Sequence, residues 1–280
     1  MIKDITIGQY FPMGSIIHRL DPRTKLLFTI VFIITVFLSN NFISLFLCMI
    51  FSIAIIGLSK IPIKTVMKGL KPILLIIVIT SILQIAYVDS GIVLVDVWKI
   101  KITSGGVLTA VFMTLRISLL IVMSTMLTYT TSPTALTNGL DRMFAPLQKI
   151  GVDFHTVTMI MTIALRFIPT LIEEVDKIMS AQKSRGASFD QGNLMKRAKA
   201  LIPLFIPLLF NSIRRAYELA NAMTCRCYNG GKGKTTMNAL KFSTRDYMSI
   251  LVMTFLIGGI IVLNIFCGEY NAEFTFNFAV

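Results

Sequence analysis

EEVDKIMSAQKSRGASFDQGNLMKRAK, residues 173–199, decides the topology of this chain. It joins two apolar runs, residues 157–172 and 200–213, that resemble membrane spans. Six cations lie between those runs: Lys177, Lys183, Arg185, Lys196, Arg197 and Lys199. If both runs crossed the bilayer, all six would face outward, against the cytoplasmic preference of Lys and Arg in short loops. Arg166, Pro169, Pro203 and Pro207 also make the two runs poor lone spans. Both are therefore read as helices on the cytoplasmic side.

The rest of the chain is membrane by composition. Hydrophobic residues make up 55% of 280 and charged ones 15%, with mean hydropathy +0.76. These values predict an all-α polytopic membrane protein. Residues 1–23 lack the apolar core of a signal peptide. The net charge of +13 is assigned to cytoplasmic loops beside anionic lipid, not to nucleic acid.

Five spans are expected: residues 26–38, 42–58, 72–87, 107–129 and 247–266. Ser39-Asn40-Asn41 makes a tight loop between the first two. Lys60, Lys64, Lys68 and Lys71 form a basic loop. Residues 89–104 alternate and read as a short external hairpin or interfacial segment. Arg116 lies near the middle of the fourth span. Insertion costs roughly 2.5–3.5 kcal/mol there, so it faces protein or a polar cavity, as a gating partner or a structural one. With five spans the N-terminus is cytoplasmic and the acidic tail, with Glu269 and Glu273, is external.

Asp21 and Pro22 read as the cap and first residue of a helix, with Arg23 and Lys25 snorkelling. Ser132 and Pro133 repeat that start before an amphipathic helix over residues 134–150, stopped by Gly151. Three parts result: an arm and four spans in 1–130, a cytoplasmic part of about three helices in 131–230, and a basic loop, fifth span and tail in 231–280.

Two long helices, about 155–185 and 194–226, dominate the middle part. Ile160, Ala164, Phe167, Leu171, Val175, Ile178 and Gln182 share one face of the first. Leu209, Ile213, Ala216, Ala220 and Met223 do so on the second. Each helix ends in an arginine between small residues: Ser184-Arg185-Gly186 and Cys225-Arg226-Cys227. A cation at a helix C-terminus complements the dipole by about 0.3–1 kcal/mol. Small neighbours permit close approach, and a guanidinium can then grip a carboxylate or carbonyl with two bonds. Gly186 suits the left-handed stop conformation. After Arg226 that glycine is replaced by Cys227, and Gly230 is the next candidate stop.

At these residues the sequence resembles the transmembrane T component of energy-coupling factor (ECF) transporters, the EcfT family. Leu20-Asp21-Pro22-Arg23-x-Lys25, Thr131-Ser132-Pro133, Leu165-Arg166-Phe167-Ile168-Pro169 and Ala222-Met223-x-x-Arg226-x-Tyr228 are similar to family patterns in the family's order. The two arginine ends correspond to its paired Ala-Arg-Gly motifs. Ser184 replaces the first Ala, and Cys225 and Cys227 replace the second Ala and Gly. The resemblance implies a heterodimer of two ATP-binding-cassette subunits below the membrane. One would accept Arg185 with Ser184 and Gly186, the other Arg226 with Cys225 and Cys227. It also implies a membrane S component that binds a vitamin or metal ion. Its expected platform is Ile160, Ala164, Phe167, Leu171, Leu201, Phe205 and Leu209. Asp21, Pro22 and Arg23 would be a structural motif.

No catalytic residue, cofactor or metal is expected. Cys225-x-Cys227 lacks a second ligand pair, and His18 and His155 are distant in sequence. Residues 229–236 imitate a phosphate-binding loop, but the motif needs glycine where Tyr228 stands. The rival reading is a membrane assembly factor or enzyme that binds anionic lipid or phosphate through Arg166, Arg185 and Arg226. A stand-alone secondary transporter would need more mid-membrane polar groups than Arg116 and Gln84.

Overall fold

The computed structural model describes residues 10–88, 92–97, 100–146, 154–187, 194–228 and 242–268. The chain divides into two compact units: a membrane unit of residues 8–139 and 240–280, and a second unit built on residues 140–239.

The membrane unit is assembled around α5, Ser104–Thr130. Packed against it are α1 (Pro22–Leu38), α2 (Phe42–Ser59), α3 (Ile63–Leu70) and α4 (Leu74–Tyr87). The last helix, α9 (Thr244–Gly268), packs on α1 and α2. Lys25, Thr29, Phe32 and Val36 are buried along α1, at the 4-3-4 spacing of one helix face. Phe32, Val36, Leu45, Cys48, Phe112, Leu119, Met123, Met253, Leu256 and Ile260 form the main core. A smaller cluster gathers Ile61, Val66, Val122, Met126 and Tyr129.

Among the described residues, five helical segments are long and apolar enough to cross a membrane, as an all-α polytopic protein requires: Phe42–Ser59, Ile63–Tyr87, Ser104–Thr130, Phe154–Ser184 and Thr244–Phe266. The number agrees with the sequence reading, but the membership differs. Phe154–Ser184 enters the set because its first half is apolar. Pro22–Leu38 drops out because it has 17 residues. The packing nevertheless sets α1 alongside α9 from end to end. The Asp21 amide donates to Asp246 Oδ1 at 2.9 Å, and Asn264 Nδ2 donates to the Leu38 carbonyl at 2.7 Å. Residues 246 and 264 are about 27 Å apart along a helix, so α1 matches most of a bilayer's hydrocarbon depth.

Two local expectations change. Lys64 and Lys68 lie on helix α3 rather than in a loop, and the helical segment continues through Lys71 into α4. Lys60 supplies the break before it, with φ 59°. The next helix, α6, spans Pro133–Phe144 and gives way to a tighter turn at residues 145–146, and the expected remainder, residues 147–150, lies outside the described residues. Pro146 accounts for this: proline disfavours helix in the residue before it and lacks an amide to continue the ladder. Its start is as expected, since the Ala135 amide donates to Ser132 Oγ at 3.2 Å. The alternating segment forms an antiparallel hairpin, β1 (Val93–Val97) with β2 (Ile100–Thr103), in which Asp96 pairs with Lys101. Gly151, Gly230, the loop 232–241 and the tail with Glu269 and Glu273 lie outside the described residues.

Arg116 is buried. Its guanidinium donates to the Ser39 carbonyl and stacks on Phe112, 4.7 Å from the ring centre. It therefore closes the α1–α2 loop from within the core, which favours the structural alternative.

Candidate functional site

The second unit contains α7 (Phe154–Ser184) and α8 (Leu194–Cys225). Both run unbroken through their prolines, Pro169, Pro203 and Pro207. Asp141 holds the start of α7: its carboxylate meets His155 Nδ1 at 3.1 Å and accepts from Thr158 Oγ1 at 2.6 Å.

The helices pair in opposite directions. Near the start of α7, Met159 Sδ accepts from the Tyr228 hydroxyl just past the end of α8 at 3.1 Å. Further along α7, Glu174 takes a hydrogen bond from Asn211 Nδ2 and an ion pair from Arg215 at 2.9 Å. Glu174 is largely buried and Arg215 partly so, so this contact is firmer than an ordinary surface pair. Beyond it, α7 continues towards Arg185 while α8 continues the opposite way towards Arg226. The two arginines thus stand at opposite ends of the pair.

Both ends close in the same way. The Gly186 amide bonds the Lys183 carbonyl at 2.9 Å, and the Ala187 amide bonds the Gln182 carbonyl at 3.0 Å. At the other end the Cys227 amide bonds Thr224 at 2.9 Å, and the Tyr228 amide bonds Met223 at 3.1 Å. Each is a Schellman motif, with its arginine in the C-cap position. Gly186 has φ +88° and Cys227 has φ +56°. The stop after Arg226 is therefore at Cys227 itself, not at Gly230. The left-handed conformation costs a side-chain-bearing residue about 1–2 kcal/mol, offset in part by glycine's greater chain entropy. Cys227→Gly should therefore stabilise this turn by about 0.5–1 kcal/mol. Slower hydrogen exchange at the amides of residues 227 and 228 would show it; unchanged or faster exchange would count against a strained cap.

Ser184, Arg185, Gly186, Cys225, Arg226 and Cys227 are all exposed. Among the described residues neither arginine forms an ion pair. The expected platform is largely uncovered within the protein: Ile160 is 58% exposed, Leu201 52%, Phe205 60% and Leu209 46%. Ala164 is exposed too, whereas Phe167 and Leu171 are half-buried. Phe210 and Ile213 extend the same apolar surface. Apolar surface this extensive, left uncovered within the protein, marks an interaction surface. Among the described residues no group of His, Cys, Asp and Glu could hold a metal ion.

Asp21, Pro22 and Arg23 sit in the membrane unit, at a buried polar joint. Asp21 caps α1, accepting from the Arg23 amide at 2.9 Å. Pro22 lies against Gly139, where an added Cβ would meet the proline Cβ at 3.1 Å. Arg23 lies over the Phe242 ring. One member of the joint, Asp246, escaped the sequence reading, and another, Lys25, expected to snorkel, is instead 7% exposed. Asp246, 1% exposed, accepts from Thr24 Oγ1 at 3.0 Å, from the Asp21 amide, and from the Ser243 amide at 2.7 Å. Lys25 Nζ donates to the carbonyls of His18 and Thr130, at 3.0 and 2.9 Å. The signal for Asp246 was present: Ser243-Thr244-Arg245-Asp246 is a capping-box pattern before an apolar run. Burial holds the nearby His18 imidazole below its usual pKa.

The family model described as cobalt transport protein, CbiQ, matches residues 13–237. The energy-coupling factor transporter transmembrane protein EcfT of Ruminiclostridium cellulolyticum is 46% identical over 92% of this chain and 97% of its own length. That of Clostridium kluyveri is 45% identical over 96% of this chain and 100% of its own length. The Bacillus subtilis protein of the same name is 40% identical over 92% and 98%. Matches of this extent, over a chain whose helices are built to cross a membrane, place it in the CbiQ/EcfT family: it is an energy-coupling transmembrane protein of an ECF-type importer.

Proposed function

We propose that Arg185 and Arg226 each dock in one of two ATP-binding-cassette subunits, and that the apolar surface of α7 and α8 carries a small membrane subunit that binds the substrate. The observation that carries this reading is the pair of identically capped, exposed arginines at opposite ends of two helices tied at Glu174. A pair built this way can engage two similar partners at once. ATP hydrolysis then belongs to those partners, and their closure moves both helix ends. The uncovered run through Ile160, Leu201, Phe205 and Leu209 supplies the surface on which the substrate-binding subunit rides. The substrate, a vitamin or a metal ion, is chosen by that subunit.

The same reading puts α1, α2, the α3–α4 segment, α5 and α9 across the bilayer, with the N-terminus cytoplasmic and the C-terminus external. It keeps α7 against the inner surface. The six cations of residues 173–199 support this placement, as does the alignment of α1 with α9.

Site-specific cross-linking in membranes tests both halves. A photo-reactive residue at position 185 or 226 should capture ATPase subunits, and one at position 205 a small membrane protein. Capture of lipid alone at all three positions would favour the rival phosphate-binding reading.

A further inference from the structure

An apolar cavity of about 650 Å³ opens at one end of the membrane unit. It is bounded by the starts of α1 and α9 and the ends of α2 and α5. Lys25 and Arg245 line it at the helix ends, among Ile16, Ile17, Leu20 and Leu58, while Phe28, Phe51, Met123 and Val252 lie further in. From residue 245 to 252 the depth is about 10 Å along a helix.

The charges at this end are unequally engaged. The carboxylates are Asp21 and Asp246, and both are occupied by local donors: the Arg23 amide on one, and Thr24 Oγ1 with the Asp21 and Ser243 amides on the other. Lys25 is 7% exposed and directs two of its three donors to carbonyls. That leaves one N–H with no acceptor among the described residues. Arg245 is exposed and likewise without an ion pair among the described residues. Two cations within an otherwise apolar lining match a phosphate joined to an acyl chain, and basic pockets between membrane helices suit anionic headgroups.

We propose that this cavity holds an acyl chain of one anionic phospholipid, with its phosphate against Lys25 and Arg245. The lipid would wedge between α1, α2, α5 and α9 and complete the packing at the joint made by Asp21 and Asp246.

The test uses the full chain, equilibrated with equal amounts of dioleoylphosphatidylglycerol and dioleoylphosphatidylcholine. Retained lipid is counted by native mass spectrometry. The wild type should retain one phosphatidylglycerol in clear excess over phosphatidylcholine. Arg245→Gln should lower that ratio about fivefold, the effect of one basic group near a lipid surface. Ala54→Trp, which fills the cavity from α2, should remove the retained lipid of both kinds. Inorganic phosphate at millimolar concentration should leave the melting temperature unchanged. Equal retention of the two lipids, or an unchanged ratio in Arg245→Gln, would overturn the proposal. So would stabilisation by phosphate alone equal to that by phosphatidylglycerol, which would mark an anion site with no place for lipid.

Discussion

Arg185→Glu and Arg226→Glu should each abolish ATP-driven uptake while leaving the protein inserted and folded. Both side chains are exposed, and both last turns are closed by backbone bonds that do not involve them, so neither change disturbs the unit itself. Losing one partner of a desolvated charge pair costs about 2–5 kcal/mol of binding, and reversal adds repulsion. The tips stand at opposite ends of the pair, roughly 30 Å apart along the helices, well beyond a Debye length at physiological salt. The two losses should therefore be independent, each weakening recovery of ATPase subunits by at least 30-fold. Arg→Lys at either tip should fall in between, because it keeps the charge and loses the two-pronged grip. Normal uptake by the double Glu variant, at normal membrane abundance, would remove the docking role.

Asp246→Ala should be strongly destabilising in the membrane unit. It strands two donors, the amides of Asp21 and Ser243, while the Thr24 hydroxyl keeps the Asp21 carbonyl at 2.6 Å. Both sit at a carboxylate that is 1% exposed. Each abandoned buried donor costs about 1–3 kcal/mol, so a total of about 2 kcal/mol or more is expected. Thermal unfolding of the detergent-purified protein should show the drop. Asp246→Asn keeps one acceptor and should lose less. Melting of Asp246→Ala within a degree of wild type would mean that the joint contributes little.

Much of this was legible in the chain. The capping residues Asp21 and Ser132 and the positions of α7 and α8 follow from rules of helix starts, stops and period. The two arginine tips stood out because small residues flank a cation twice. What stayed hidden depends on three dimensions or on rarer backbone states. Cys227 in a left-handed turn is a conformation that sequence rules assign to glycine, so the stop was sought further on. The lysines after Lys60 looked like a loop because their charge outweighed their helical spacing, although Lys64, Lys68 and Lys71 recur every three or four residues. Asp246 reads as the far end of a local capping box, and only the packing of α1 on α9 adds the Asp21 amide and the Thr24 hydroxyl. Arg116 needed the carbonyl of Ser39, 77 residues away in sequence, before its role could be read.

The Glu174 tie has a mechanical consequence. Arg185 lies eleven residues beyond Glu174, and Arg226 lies eleven residues beyond Arg215, its partner across the tie. Each arm is then about 17 Å long. Equal and opposite pushes on two arms of equal length produce torque about their pivot and no net thrust. The helix pair would turn like scissors about Glu174, and the apolar surface beside the pivot would rotate with it. Opposed pushes directed across the two arms would thus be converted into a tilt.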